Sequence, residues 1–260
     1  MTRGEAALLA AVACVAGFVG WQALATRRQP PVPSIAVALP DDSATAPARR
    51  VGGDVHVEAA YSALPAPRRD TAGVRRLLLA GGSGTWIDDM LRDGDSTLAR
   101  WPERAASPIT VWVQRAPAVA GWRESLAESA RHAFGRWELV GMPLRFVLVA
   151  DSAAAEVHVL WTDRLTVGTR IGSTRRVHDQ HWWVVDADIT IATHSVDGRP
   201  LDDLTVRTAA LHEVGHLLGL GHTTDTTSIM APRAYGTTDL SPKDLATVRL
   251  LYSLPPGSVK

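Results

Sequence analysis

The chain has 260 residues, enough for one sizeable domain with extensions. Its 27 basic and 27 acidic residues cancel, which removes the electrostatic case for a nucleic-acid partner. Cys14 is the single cysteine, so no intrachain disulfide and no cysteine-rich zinc site can form, and a tight metal site must be built from histidines and carboxylates.

Residues 6–25 form an apolar run interrupted by Gln22. Its length matches the roughly 20 residues that span a bilayer. Two readings stay open for residues 1–28. As an N-terminal transmembrane anchor, the run has sufficient length and an interfacial aromatic, Trp21. As a signal peptide, it ends in a serviceable cleavage site, Ala23-Leu24-Ala25. A buried soluble helix is the bland alternative. Arg3 on one side and Arg27 with Arg28 on the other leave the orientation open. The expectation is a chain that is membrane-anchored through residues 6–25, or secreted or periplasmic, with its folded body outside the cytoplasm.

Residues 29–83 read as a Pro/Ala-rich linker, largely disordered, because they lack a sustained apolar period. A short strand around Val55 to Val57 interrupts them. The compact domain is expected over residues 84–256. TWIDDMLRDGD predicts a short helix ending near Gly94, and Ile109 to Val113 alternates as a strand. Trp122, Leu126, Ala130, Ala133, Phe134 and Trp137 recur at helical spacing, so residues 121–140 predict an amphipathic helix, ended by Gly141 and Pro143. Strands are expected at 144–149, 156–161 and 182–192. A helix follows at 204–220, and another starts at Ser241, with Pro242 in its first turn and Asp244 completing a capping box. This order gives an α+β domain. Trp112, Trp137 and Trp161 fall at core-phase positions.

The chemistry sits in HEVGHLLGLGH, His212 to His222. His212 and His216 are one helical turn apart on one face and can chelate one Zn²⁺. Gly219 lets the chain leave the helix and return His222 to the metal as a third ligand. Three neutral imidazoles leave a fourth position for water, as in catalytic sites. Glu213 lies about 100° around the helix, free to act on that water as the base. The expected reaction is peptide hydrolysis through a zinc-bound water activated by Glu213.

The pattern H-E-x-x-H-x-x-G-x-x-H resembles that of the metzincin zinc peptidases. Ser228-Ile229-Met230 looks like their Met-turn, which implies that Met230 supports the site from below rather than ligating it. Within the clan the chain is most similar to the matrixins, on Leu240-Ser241-Pro242-Lys243-Asp244-Leu245, on Leu251-Tyr252 and on the strand VVDADITIA. Thr223 stands where matrixins usually carry Ser. With Cys14 inside the apolar run, there is no cysteine-switch propeptide.

The resemblance implies a twisted mixed β-sheet packed on the active-site helix, with a C-terminal helix after the Met-turn. It implies a zinc metalloendopeptidase with no cofactor beyond Zn²⁺, expected to be a monomer. A protein or peptide substrate would lie as an extended strand along a sheet edge, expected here within residues 182–193. Leu217, Leu218, Ala231, Pro232 and Tyr235 are expected to wall the pocket beside the metal. His178, Asp179, His181, Asp186, Asp188 and His194 fall where matrixins hold further metals, but their spacing differs, and exposed polar residues are the better reading. The alternative function is a zinc-binding, metzincin-like recognition module without proteolytic activity. An intact Glu213 argues against it.

Overall fold

The computed structural model describes residues 56–58, 64, 66–67, 70–94, 96–165, 169–233 and 236–258. The apolar run 6–25, most of the linker and Tyr235 lie outside them. No helix among the described residues is long and apolar enough to cross a membrane.

In chain order the elements are β1 (His56–Glu58), α1 (Thr71–Gly81), α2 (Ile87–Asp93), β2 (Thr97–Leu98), β3 (Arg104–Val113), α3 (Glu124–Glu138) and β4 (Leu144–Leu148). Then come β5 (Val157–Thr162), β6 (Gly172–His178), β7 (Val184–Ala192), α4 (Asp203–Leu217), α5 (Pro242–Ser253) and β8 (Gly257–Ser258). All fall within the compact unit Pro47–Lys260. The α+β class and the mixed sheet follow the expectation.

Among the described residues the main sheet has six strands in the order β1-β6-β7-β5-β3-β4. Four neighbouring pairs are parallel, and β6 alone runs antiparallel to its neighbour β7. β3, β5 and β7 alternate between buried and partly exposed positions, so one face is apolar: Ile109, Val111 and Val113 on β3, Val157, Val159 and Trp161 on β5, Ile189 and Ile191 on β7. Helices α3 and α4 cover that face. Leu126, Ala130, Ala133, Phe134 and Trp137 form the buried stripe of α3. Each large apolar side chain buried there stabilises the fold by about 1.5–3 kcal/mol. Trp137 also donates its indole N–H to the Leu211 carbonyl of α4 at 2.9 Å, which fixes the site helix against α3.

Four features differ from the sequence reading. Strand β6 was not expected. Its inward positions are Thr174, Arg176 and His178, all buried and all polar, so it carries no apolar period. Its presence makes β7 an interior strand, flanked by β5 and β6, so residues 182–193 are not a sheet edge. Helix α1 lies inside the stretch read as linker. It is short, but Val74 is buried and Leu78 packs on the core cluster. Trp112 points to the opposite side of β3 from Val111 and Val113 and meets His158 edge-on, whereas Trp137 and Trp161 are buried as expected.

Candidate metal centre

Helix α4 is almost entirely buried from Ala209 to Leu217, so only a fully satisfied set of polar groups could sit on it. Its start is capped by Asp202, whose side chain accepts from the Thr205 N–H at 2.7 Å. Its end is held by two aromatic donors from elsewhere in the chain. The Trp101 indole N–H reaches the Leu217 carbonyl at 3.0 Å, and the Tyr252 hydroxyl reaches the Leu218 carbonyl at 3.0 Å. Gly219 then takes φ +106, and a Cβ there would sit 2.2 Å from the Ala99 carbonyl oxygen. No other residue type meets both conditions without strain. The turn carries the chain to His222.

The three Nε2 atoms converge: His212 to His216 3.0 Å, His216 to His222 3.2 Å, His222 to His212 3.3 Å. Two ligands of a tetrahedral zinc, each about 2.0–2.1 Å from the metal, lie about 3.3–3.4 Å apart, so the spacing fits. Hydrogen bonding on the far sides of the rings supports the same reading. His212 Nδ1 meets the Ile229 carbonyl at 2.7 Å, and His216 Nδ1 meets the Leu220 carbonyl at 2.8 Å. A carbonyl accepts only from N–H, so each Nδ1 carries the proton and each Nε2 presents a lone pair. Lone pairs that point at one another across about 3 Å repel unless a cation lies between them. Among the described residues, these three histidines are the one cluster of three or more potential ligands.

The electrostatics agree. Burial is the main force pushing His212, His216 and His222 below the usual imidazole range, and His222 falls to about 4. The positive charges of neighbouring imidazoles add to this for His216, as those of His212 and Arg170 do for His222. All three rings are therefore neutral at pH 7, the form that binds metal.

Glu213 lies on the side of α4 facing β6. The Thr174 hydroxyl is 2.7 Å from Glu213 Oε2, and a Cβ on Gly172 would stand 2.3 Å from Oε1. The carboxylate thus lies directly against the β6 backbone. Below the rings, Met230 is fully buried, and its Sδ would be 2.3 Å from a Cβ placed on Gly215. Met230 therefore packs on the glycine gap between the first two histidines. The loop after His222 is tied to α2, where Asp89 accepts from the Thr223 hydroxyl at 2.6 Å and from the Thr224 N–H at 3.1 Å.

A pocket of about 630 Å³ opens on the triad and on Glu213. Ala231 and Pro232 line it, as expected, together with β6 residues Gly172, Ser173 and Thr174. Leu217 and Leu218 do not; both are fully buried in the core. The sequence reading missed Gly172, Thr174 and Asp89, which come to the site from distant segments, and took Asp244 only as a helix cap, whereas its carboxylate also accepts from the Ile229 N–H.

The matrixin family model matches residues 164–253. Over this stretch the chain is similar to the matrixins. The matched segment contains β6, β7, α4, the Met230 turn and α5, which together build the triad and its surroundings. Two curated relatives agree. The chain is 35% identical to Metalloendoproteinase 1 of Glycine max over 80 residues, 29% of this chain and 24% of that protein. It is 38% identical to the probable matrix metalloproteinase 095L of Invertebrate iridescent virus 3 over 78 residues, 28% of this chain and 20% of that protein. The chain thus spans about a quarter or less of the relatives it matches. In the matched segment the observed triad fits the zinc that the matrixin family implies.

Proposed function

We propose that this chain is a zinc-dependent endopeptidase whose metal ligands are His212, His216 and His222 and whose catalytic base is Glu213. The observation that carries this reading is the convergence of three Nε2 atoms, spaced 3.0–3.3 Å, in the same pocket as a buried carboxylate. Zinc, when bound there, would supply a Lewis acid that polarises a peptide carbonyl and acidifies water.

The chain's own groups do the rest. The Ile229 and Leu220 carbonyls hold the imidazole tautomers. Glu213 takes a proton from the attacking water as its oxygen bonds to the peptide carbon, then delivers it to the amine nitrogen as the C–N bond breaks. Thr174 steadies the carboxylate during both transfers. Met230 and the Asp89 clamp keep the ring cluster and the His222 loop in place. Substrate lies as an extended strand along the outer edge of β6. β1 pairs there with Arg176 to His178, and among the described residues no strand pairs with the edge from Gly172 to Arg175. Residues 6–25 direct the peptidase out of the cytoplasm, as a retained anchor or a removed signal.

The test pairs zinc content with cleavage of an unstructured protein, using the full chain and its Glu213→Ala variant. One zinc in both and cleavage by the parent alone is the expected outcome. Zinc in both with no cleavage by either would move the reading to a recognition module. No zinc in a folded chain would end it.

A further inference from the structure

The pocket at the triad carries an unbalanced positive charge. Arg170 and Arg233 line it from opposite segments, one just before β6 and the other just after the Met230 turn, and both are exposed. Some surface arginines are matched with carboxylates, as in Arg104–Glu156, Arg136–Asp239 and Arg199–Asp197, and others such as Arg145 and Arg207 stand away from the pocket. Arg170 and Arg233 have no such partner among the described residues. Among the described residues, the only carboxylate lining the pocket is Glu213, which is buried against Gly172 and Thr174. The charge at the mouth therefore faces outward, toward whatever peptide enters.

We infer that the site selects peptide segments with Asp or Glu beside the scissile bond, and that Arg170 and Arg233 are the residues that determine this specificity. This rests on the peptidase reading above and names its substrate class. Guanidinium groups pair with carboxylates through two parallel hydrogen bonds, so the two side chains offer geometry as well as charge. The walls of the same pocket include Ile171, Ala209 and Ala231, which accept the aliphatic part of a neighbouring residue. The occupant is thus an acidic segment with an apolar side chain at its centre. A basic segment would meet two like charges at the entrance.

The experiment uses the full-length protein and a fluorescent peptide with a neutral, apolar centre. Each of the three positions on either side of the cleaved bond is replaced in turn by Glu or by Lys. The expected result is a kcat/KM about five- to tenfold higher for Glu than for Lys at one or more positions, with the gap narrowing as salt is raised. The gap should close in the Arg170→Gln/Arg233→Gln variant and reverse in Arg170→Glu/Arg233→Glu. Fluorescence anisotropy of the same peptides on the Glu213→Ala chain reads binding without turnover. It decides the charge preference even if no peptide is cleaved, so failure of the peptidase reading stays separable. Equal binding of Glu and Lys peptides would overturn the inference. So would a preference that survives in the Gln/Gln variant.

Discussion

The Thr174 hydroxyl lies 2.7 Å from Glu213 Oε2 and 3.0 Å from the Glu213 carbonyl oxygen. One side chain on β6 therefore addresses both ends of the residue proposed as base. A hydroxyl has a single proton, so it can hold the carboxylate in one orientation while the helix backbone offers a second resting place. Hydrogen bonds to charged groups are worth about 1.5–3 kcal/mol. Thr174→Val should therefore lower kcat/KM by about tenfold or more, mostly through kcat, with zinc content unchanged. Thr174→Ser should recover most of it. A fully active Val variant would show that Thr174 only fills space.

The depressed imidazoles set a direction for the pH dependence of stability. The unfolded chain has ordinary histidines near 6.5, whereas burial lowers His212 and His216 and takes His222 to about 4. Between those values the unfolded state binds more protons than the metal-free folded state, so this contribution is present above about 6.5 and is lost as pH falls toward about 4. The urea midpoint of the metal-free chain should accordingly drop between pH 7 and pH 5, and the drop should shrink in a His222→Asn variant. Identical pH dependence in the two chains would contradict this origin. Zinc should raise the midpoint at pH 7 and lose that effect in the same acidic window.

Gly215 and Met230 form a coupled pair. A Cβ on Gly215 would meet Met230 Sδ at 2.3 Å and Trp137 Cζ2 at 3.2 Å. Gly215→Ala should destabilise by about 1–3 kcal/mol through overpacking, despite alanine's better helix propensity. Met230→Ala should cost about 2–5 kcal/mol through the cavity it leaves. In the double variant the new methyl enters the space that the sulfur vacates. Its cost should fall below the sum of the two by at least about 0.5 kcal/mol in denaturant unfolding. Strict additivity would mean that the two residues do not share that space.

The geometry of the histidine triad was legible because it is local. His212, Glu213, His216, Gly219 and His222 occupy one helix and its exit turn, where spacing alone fixes relative geometry. The capping box at Ser241 and Asp244 was legible for the same reason, and both of its hydrogen bonds are formed. What escaped was long-range. β6 hides because its buried positions hold Thr174, Arg176 and His178, and periodicity detects apolar burial only. With β6 missed, β7 was taken for a sheet edge, whereas it lies between β5 and β6. Leu217 and Leu218 were placed in the pocket because they neighbour the histidines in sequence, but a buried helix turns such neighbours into the core. No local signal says that Asp89 or Trp86, well over a hundred residues upstream, reaches the segment around the histidine triad.

Asp244 shows how far such support extends. It is fully buried, and four donors converge on its carboxylate. They are the Ser228 hydroxyl, the Ile229 N–H at 3.1 Å, the Ser241 N–H at 2.8 Å and the Trp86 indole N–H at 3.1 Å. The Ile229 carbonyl then accepts from His212 Nδ1 at 2.7 Å, so a single residue separates the Asp244 carboxylate from a proposed ligand. Asparagine has the same size, but its amide presents donors to at least one of these donors. Asp244→Asn should therefore cost about 2–4 kcal/mol of stability and, because groups behind a ligand tune its metal, weaken zinc binding by about 10–100-fold. Trp86→Phe removes only one of the four donors and keeps the ring, so it should cost about 1 kcal/mol and leave zinc affinity nearly intact. Competition against a chromophoric chelator measures the affinities, and denaturant unfolding measures the stabilities. If Asp244→Asn loses stability but binds zinc as tightly as the parent, the carboxylate braces α5 alone, and the connection through Ile229 does not reach the metal.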